Sequence, residues 1–114
     1  MSIAVALDEL RAEIAKRGDA AFLVTTNGSS PHIVSVRVTW DGDTITAGAG
    51  NTTSKNVSDR PVVSLLWPTT FDDYSLIVDG SASIDADVVR IAPTRAVLHR
   101  SVAATGDGPG CIAL

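Results

Sequence analysis

The residues with most chemical promise lie between Ala47 and Pro61, in the run A-G-A-G-N-T-T-S-K-N-V-S-D-R-P. Two small-residue pairs, Ala47-Gly48 and Ala49-Gly50, close a strand-like stretch. A polar segment of Asn51, Thr52, Thr53 and Ser54 follows, with the cation Lys55 and then Asn56. It leads into a short predicted helix ending at Pro61. Glycines let a backbone come close to a ligand. Hydroxyls, free N–H groups at a helix start and a lysine together suit an oxygen-rich anion such as a phosphate. The spacing matches neither a Walker loop nor a dinucleotide-binding glycine fingerprint. A polar hairpin exit with an ordinary helix cap accounts for the same residues and stays open.

A second candidate group is Ser35, Val36 and Arg37. Arg37 leaves a predicted strand on the face opposite a row of valines, between Ser35 and Thr39. A solvated strand face explains it. So does a polar wall beside Asn51–Lys55, because the Asp41-Gly42-Asp43 turn would bring Thr46–Gly48 near Val36–Val38. Arg37 and Lys55 would then neutralise a phosphate, and backbone groups could meet a planar ring.

Other chemistries find less support. His32 and His99 are the only histidines, and no second His or Cys lies near either, which argues against a metal site. The acidic pairs fall at predicted turns. Cys111 has no local base and stands in a Gly-rich tail. As the sole cysteine it permits no internal disulfide.

The elements that must position these residues read as follows. Leu7, Leu10 and Ile14 mark a helix over Leu7–Arg17, stopped by Gly18. Ala21–Thr26, His32–Trp40 and Thr44–Ala49 read as strands of an antiparallel meander, with Asn27-Gly28 and Asp41-Gly42-Asp43 as turns. In the second, Val34, Val36, Val38 and Trp40 share a face, which predicts a core role for Trp40. Val62–Trp67 is a nearly continuous apolar strand; Trp67 at its end suits rim packing, a dimer contact or ligand stacking. Tyr74–Ile84 is a strand with a bend at Gly80, and Asp87–Ile91 is one more. Pro93–Arg100 has helical spacing, with Pro93 at the first position and Val97 inward. The tail 101–114 is rich in Gly and Ala and reads as poorly ordered before Cys111. Short strands at regular spacing predict a mainly β fold: a small barrel of about six antiparallel strands, with an N-terminal helix within residues 1–20 and short connecting helices.

A chain of 114 residues, 45% of them hydrophobic, is expected to be one domain, 1–114, with a packed core. Its net charge of −4 and lack of a Lys/Arg cluster argue against a nucleic-acid partner. No apolar run approaches the roughly 20 residues that span a bilayer. The start M-S-I-A-V-A-L-D-E-L lacks the basic region of a signal peptide, and a cytoplasmic location is expected.

The order of these pieces resembles the FMN-binding split-barrel superfamily, the pyridoxamine 5'-phosphate oxidase-like and flavin/deazaflavin oxidoreductases, in a short form of actinobacterial type. Ala21–Thr26 with Pro31–Val36 is similar to the opening hairpin, and Trp40-Asp41-Gly42-Asp43 to the W-D-G-D turn. Ser54–Pro61 with Val62–Trp67 is similar to the phosphate loop, helical turn and apolar strand. Tyr74–Ile84 is similar to the strand that ends G-x-A, and the resemblance covers roughly residues 5–100. It implies a split β-barrel homodimer with FMN, or alternatively coenzyme F-420, in a cleft between subunits. It implies phosphate contacts at Asn51–Asn56, a ring along Val34–Arg37, and no dedicated acid or base. The cofactor would carry the hydride chemistry. A cofactor-free or flavin-storing dimer is the reading from another class. The chain departs from the pattern at Thr53, where many members carry Lys or Arg eight residues before the proline; Lys55 follows two residues later.

Overall fold

A computed structural model of the chain describes residues 2–102. The tail expectation and Cys111 lie, beyond residue 102, outside the described residues. The elements in chain order are β1 (Ser2–Val5), a 3-10 turn (Leu7–Glu9), α1 (Leu10–Arg17), β2 (Ala20–Thr26), β3 (Pro31–Arg37), β4 (Thr39–Asp41), β5 (Thr44–Gly48), α2 (Asn51–Asp59), β6 (Val62–Trp67), β7 (Tyr74–Asp85) and β8 (Val88–Arg100). All strand pairs are antiparallel, in the order β3-β2-β6-β7-β8-β5-β4, with β1 added to the far half of β8. The mainly β, split-barrel expectation holds, with eight strands among the described residues rather than about six.

The sheet is not a simple meander, because its two edge strands are consecutive in the chain. The predicted strand His32–Trp40 breaks at Val38, whose N–H donates to the Asp19 carbonyl at 2.8 Å instead of to a strand neighbour. On one side of the break, β3 pairs with β2, Val36 facing Ala21 and His32 facing Thr25. On the other, β4 pairs with β5, so Thr46 faces Thr39 rather than the valine run. The sheet therefore curls until its edges meet at Val38, as a half-barrel closed by the chain itself. Gly42 opens the β4–β5 loop at φ +63°, where glycine carries no Cβ penalty.

The C-terminal helix expected at Pro93–Arg100 is a strand. Residues of β8 pair with β7 from Val88 opposite Asp85 to Arg100 opposite Tyr74. Pro93 is tolerated because it faces Gly80 where the register shifts, so its missing N–H leaves no regular bond unmade. The N-terminal region is also more than a helix: Ser2–Val5 adds a short strand, and the α-helix proper begins at Leu10.

Inside the curl lie Leu23, Ile45, Leu65, Leu76, Val78, Val89 and Ile91, all at or near zero exposure. Their strands alternate inward and outward, as period-2 patterning requires. From α1, Leu10 and Ile14 join this core. Trp67 is buried, and its indole N–H donates to the Gly18 carbonyl at 3.0 Å, tying β6 to the end of α1. Trp40 is half-buried against the core with the Arg11 guanidinium over its ring at 4.4 Å.

Arg17 secures the β6–β7 loop. Its buried side chain donates to the Tyr74 carbonyl at 2.9 Å and to Asp72 at 3.0 Å, and lies 5.0 Å from the Phe71 ring. Its Nε stands 3.5 Å from Glu13 without making a hydrogen bond. The Tyr74 backbone N–H holds the Asp72 carboxyl below its usual range; burial opposes this, and Arg17 adds to the lowering.

Candidate functional site

Helix α2 forms because Thr53, Asn56 and Val57 recur at helical spacing and turn inward, packing the helix on β2 and β7. The polar segment Asn51–Ser54, expected to lead into the helix, is its first turn. Asn56 donates its amide to the Thr25 hydroxyl at 3.1 Å and fixes α2 to β2. The helix ends at Asp59, before Pro61. Its start is open: Gly50 is the N-cap, no side chain caps it and no acid stands in the first turn. The first backbone hydrogen bond of the helix runs from Ser54 N–H to the Gly50 carbonyl at 2.9 Å. The N–H groups of Asn51, Thr52 and Thr53 thus emerge from its end with the positive pole of the helix dipole.

A cleft of about 320 Å³ separates this helix start from β3. His32, Val34, Ser35 and Val36 form one wall; Gly48, Gly50, Asn51, Thr52 and Thr53 form the other. The structure therefore brings together five of the residues singled out in the sequence: Ser35, Val36, Asn51, Thr52 and Thr53. It places the other four elsewhere. Arg37 pairs with Asp19 at 2.9 Å on an exposed surface. Lys55 lies exposed one turn into α2, with no ion pair among the described residues. Asn56 is buried in its contact with Thr25, and Ser54 sits behind the lining residues.

Sequence reasoning passed over His32 as a lining residue, and Val34 entered only through the ring position that the resemblance implied. The alternation of β3 was the available signal, since 32, 34 and 36 share a side, but His32 was weighed only as a metal ligand. Gly48 and Gly50 border the cleft, and a Cβ built on either meets no atom within 4 Å. Neither has positive φ. What glycine provides here is bare backbone beside open space.

Size alone does not select this cleft. A hollow of about 520 Å³ lies beside the Arg11–Trp40 pair, and one of about 310 Å³ lies on the other side of that pair. Both combine Arg11, Trp40 and aliphatic side chains with carboxylates, Asp8 and Asp43 in the larger and Asp19 in the smaller, whereas no carboxylate is among the lining residues of the cleft at α2. Among the described residues no group of three or more His, Cys, Asp or Glu could hold a metal ion, and no helix is long and apolar enough to cross a membrane.

No family model matches the chain. An uncharacterized protein of Mycobacterium bovis, and one of Mycobacterium tuberculosis, are each 44% identical to it over 62 residues. The match covers 47% of this chain and only 44% of either relative, so the chain spans under half the length of those relatives. Among solved structures, a Listeria innocua protein named as a candidate pyridoxamine 5'-phosphate oxidase superposes with a TM-score of 0.68 at 18% identity, over 84% of this chain and 100% of that one. A FAD binding protein from Mycobacterium smegmatis gives 0.62 at 22%, over 88% and 100%. A structure named as an F-420 reductase gives 0.60 at 14%, over 74% and 93%. At these identities the likeness is one of fold.

Proposed function

Starting from a chain with the split-barrel fold of the pyridoxamine 5'-phosphate oxidase-like and flavin-binding proteins, we propose that it is an FMN-binding oxidoreductase acting as a homodimer on a small-molecule substrate. The observation that carries this reading is the cleft between β3 and the uncapped start of α2. The residues present fit such a group. Open space beside Gly48 and Gly50 admits a ligand to the backbone. The N–H groups and hydroxyls of Asn51, Thr52 and Thr53 suit the oxygens of a phosphate. Lys55 is free to turn back toward them, because helical side chains lean toward the N-terminus. Val34, Ser35 and Val36 offer an apolar strand with backbone groups for a planar ring. When bound, the flavin supplies hydride transfer; the chain binds it, orients it and shields it from water. Arg37 serves in this reading only if it leaves Asp19.

Dimerisation is supported by the outer face of the sheet. Phe22, Leu66 and Ile77 stand in one cross-strand row, and Ile33 faces Val24 in the next. Ile33 and Val62 are 61% and 73% exposed in the single chain, an apolar surface of the kind that marks interfaces. Ile33 lies between His32 and Val34 of the cleft, so a second copy on this face would border the cofactor.

Coenzyme F-420 is the second reading, favoured by the fold shared with the F-420 reductase. Its acidic tail needs cations, and Lys55 and Arg60 are the exposed candidates near α2. The test is titration of the purified protein with FMN and with coenzyme F-420, followed by fluorescence, with mass measured on the same sample. Micromolar binding of FMN by a dimer is expected. Selective binding of the deazaflavin selects the second reading, and binding of neither overturns both.

A further inference from the structure

Among the described residues that line the cleft between β3 and α2, His32 is the one with an ionisable side chain. We propose that His32 supplies the positive charge inside this cleft, so that binding of a phosphate-bearing ligand is governed by imidazole protonation. The proposal rests on the cofactor reading above.

His32 is half-buried on β3 and faces Thr25 of β2 across the pair. Thr25 is buried and already accepts the Asn56 amide, so the polar row His32, Thr25, Asn56 runs from the cleft into the base of α2. From α2, the residues facing the cleft are Asn51, Thr52 and Thr53, none of them charged. The charged groups of that helix and its exit, Lys55, Asp59 and Arg60, are exposed and outside the lining. The Arg60 guanidinium lies against Gly28 in the β2–β3 turn. From β5 come Gly48 and, just after it, Gly50; between them the Ala49 N–H is bonded to the backbone carbonyl of Asp87 at 2.8 Å. Among the described residues no carboxylate enters the cleft lining, and the anion that a protonated imidazole would pair with there is a ligand's.

Histidine changes charge between about pH 5 and 8, whereas a lysine or arginine in the same place would stay charged. A charged hydrogen bond to a phosphate oxygen is worth about 1.5–3 kcal/mol, or roughly tenfold and more in affinity. A protonated imidazole at this position holds the anion by such a charged bond, and a neutral one does not. The phosphate of FMN itself loses a charge near pH 6, which works in the opposite direction. The informative quantity is therefore a ratio between proteins, in which the ligand's own titration cancels.

The experiment measures FMN dissociation constants from about pH 5.5 to about pH 8.5 for the wild type, His32→Gln and His32→Lys, with riboflavin as the phosphate-free probe. The ratio of His32→Gln to wild type is expected to rise from near one at about pH 8.5 to about tenfold at about pH 5.5. His32→Lys is expected to bind more tightly than the wild type at about pH 8.5 and about equally at about pH 5.5. Riboflavin is expected to show no such rise. A ratio constant across pH, or an equal rise for riboflavin, overturns the role of His32 and leaves the cofactor reading standing. Failure of FMN and riboflavin alike to bind the wild type at any pH overturns both.

Discussion

Two glycines with opposite surroundings give the sharpest test of the architecture and the cleft together. Gly80 lies at the register shift between β7 and β8. A Cβ there meets Ile91 Cγ2 at 2.6 Å and the Ala92 carbonyl oxygen at 2.8 Å. The first atom can rotate aside; the second is backbone of the paired strand and moves only if β8 does. Gly80→Ala is therefore expected to cost about 1–3 kcal/mol, the usual range for overpacking a close-fitting site. At about 4 °C per kcal/mol for a domain of this size, Tm falls by roughly 4–12 °C. Gly48 closes β5 and borders the cleft, and a Cβ on it meets nothing within 4 Å. Its φ is not left-handed, so Gly48→Ala narrows the unfolded ensemble at no native cost and is expected to stabilise by about 0.4–1 kcal/mol. The added methyl stands where a bound ring or phosphate approaches the backbone, and FMN affinity is expected to drop about tenfold, or about 1.4 kcal/mol. Thermal melts at one fixed protein concentration and flavin fluorescence titrations of both variants make the measurement. A Gly48→Ala protein that keeps its Tm and binds FMN as the wild type does would refute close cofactor approach at this strand end. A Gly80→Ala protein with unchanged Tm would refute the tight β7–β8 register.

Lys55→Ala is expected to leave Tm unchanged, because Lys55 is exposed and holds no partner among the described residues. It should weaken FMN binding by about 1.5 kcal/mol or more if it makes a charged bond to the phosphate, as the same titration reads. Arg17→Met should lower stability by about 2 kcal/mol in urea unfolding, from the lost charged bond to the Tyr74 carbonyl and the lost packing under Phe71. Because the folded Asp72 carboxyl is held below its ordinary value, its contribution is full above the unfolded value of about 4 and is lost as pH falls through the lower folded value. Asp72→Asn should accordingly flatten that part of the acid limb in a plot of Tm against pH. Ile33→Asp should shift the mass in sedimentation from dimer to monomer, since it places a charge within the apolar outer face.

Much of the fold was legible because period-2 alternation is strong where one face is buried. Val62–Trp67 has the predicted bounds, and Tyr74–Ile84 falls one residue short. What misled was local pattern without its partner. Pro93 followed by Thr, Arg, Ala and Val satisfies the signals of a helix start, and only pairing with the distant β7 makes it a strand. The valine run through Val38 looks continuous because alternation cannot register a backbone N–H that turns to Asp19. The strand order was out of reach for the same reason, since β5 lies beside β8 rather than β3. At the cleft, small and polar residues flagged the helix start, and Ser35 and Val36 flagged the facing strand. Alternation assigned Arg37 a face but not a neighbour, and Asp19 stands within its reach. Trp67 had three readings from sequence; the carbonyl of Gly18 that takes its N–H lies 49 positions away.

The last strand has a consequence for how the molecule is made. β8 pairs with β7 along its whole length, with β5 through Ile91, and with β1 from Ala96 onward. Among the described strands it is the one that joins β1, β5 and β7. On a chain growing from its N-terminus, β1 has no partner and the β4–β5 hairpin has no sheet until residues near 100 emerge. The hairpins of β2 with β3 and β6 with β7 can form early from short-range contacts, but the curl closes only when β8 arrives. Until then the edges of β5 and β7 stay open, which makes the interval before β8 emerges the period of greatest aggregation risk. A stalled or truncated chain ending before Val88 thus severs four of the eight described strands from the sheet, β1, β4 and β5 along with β8.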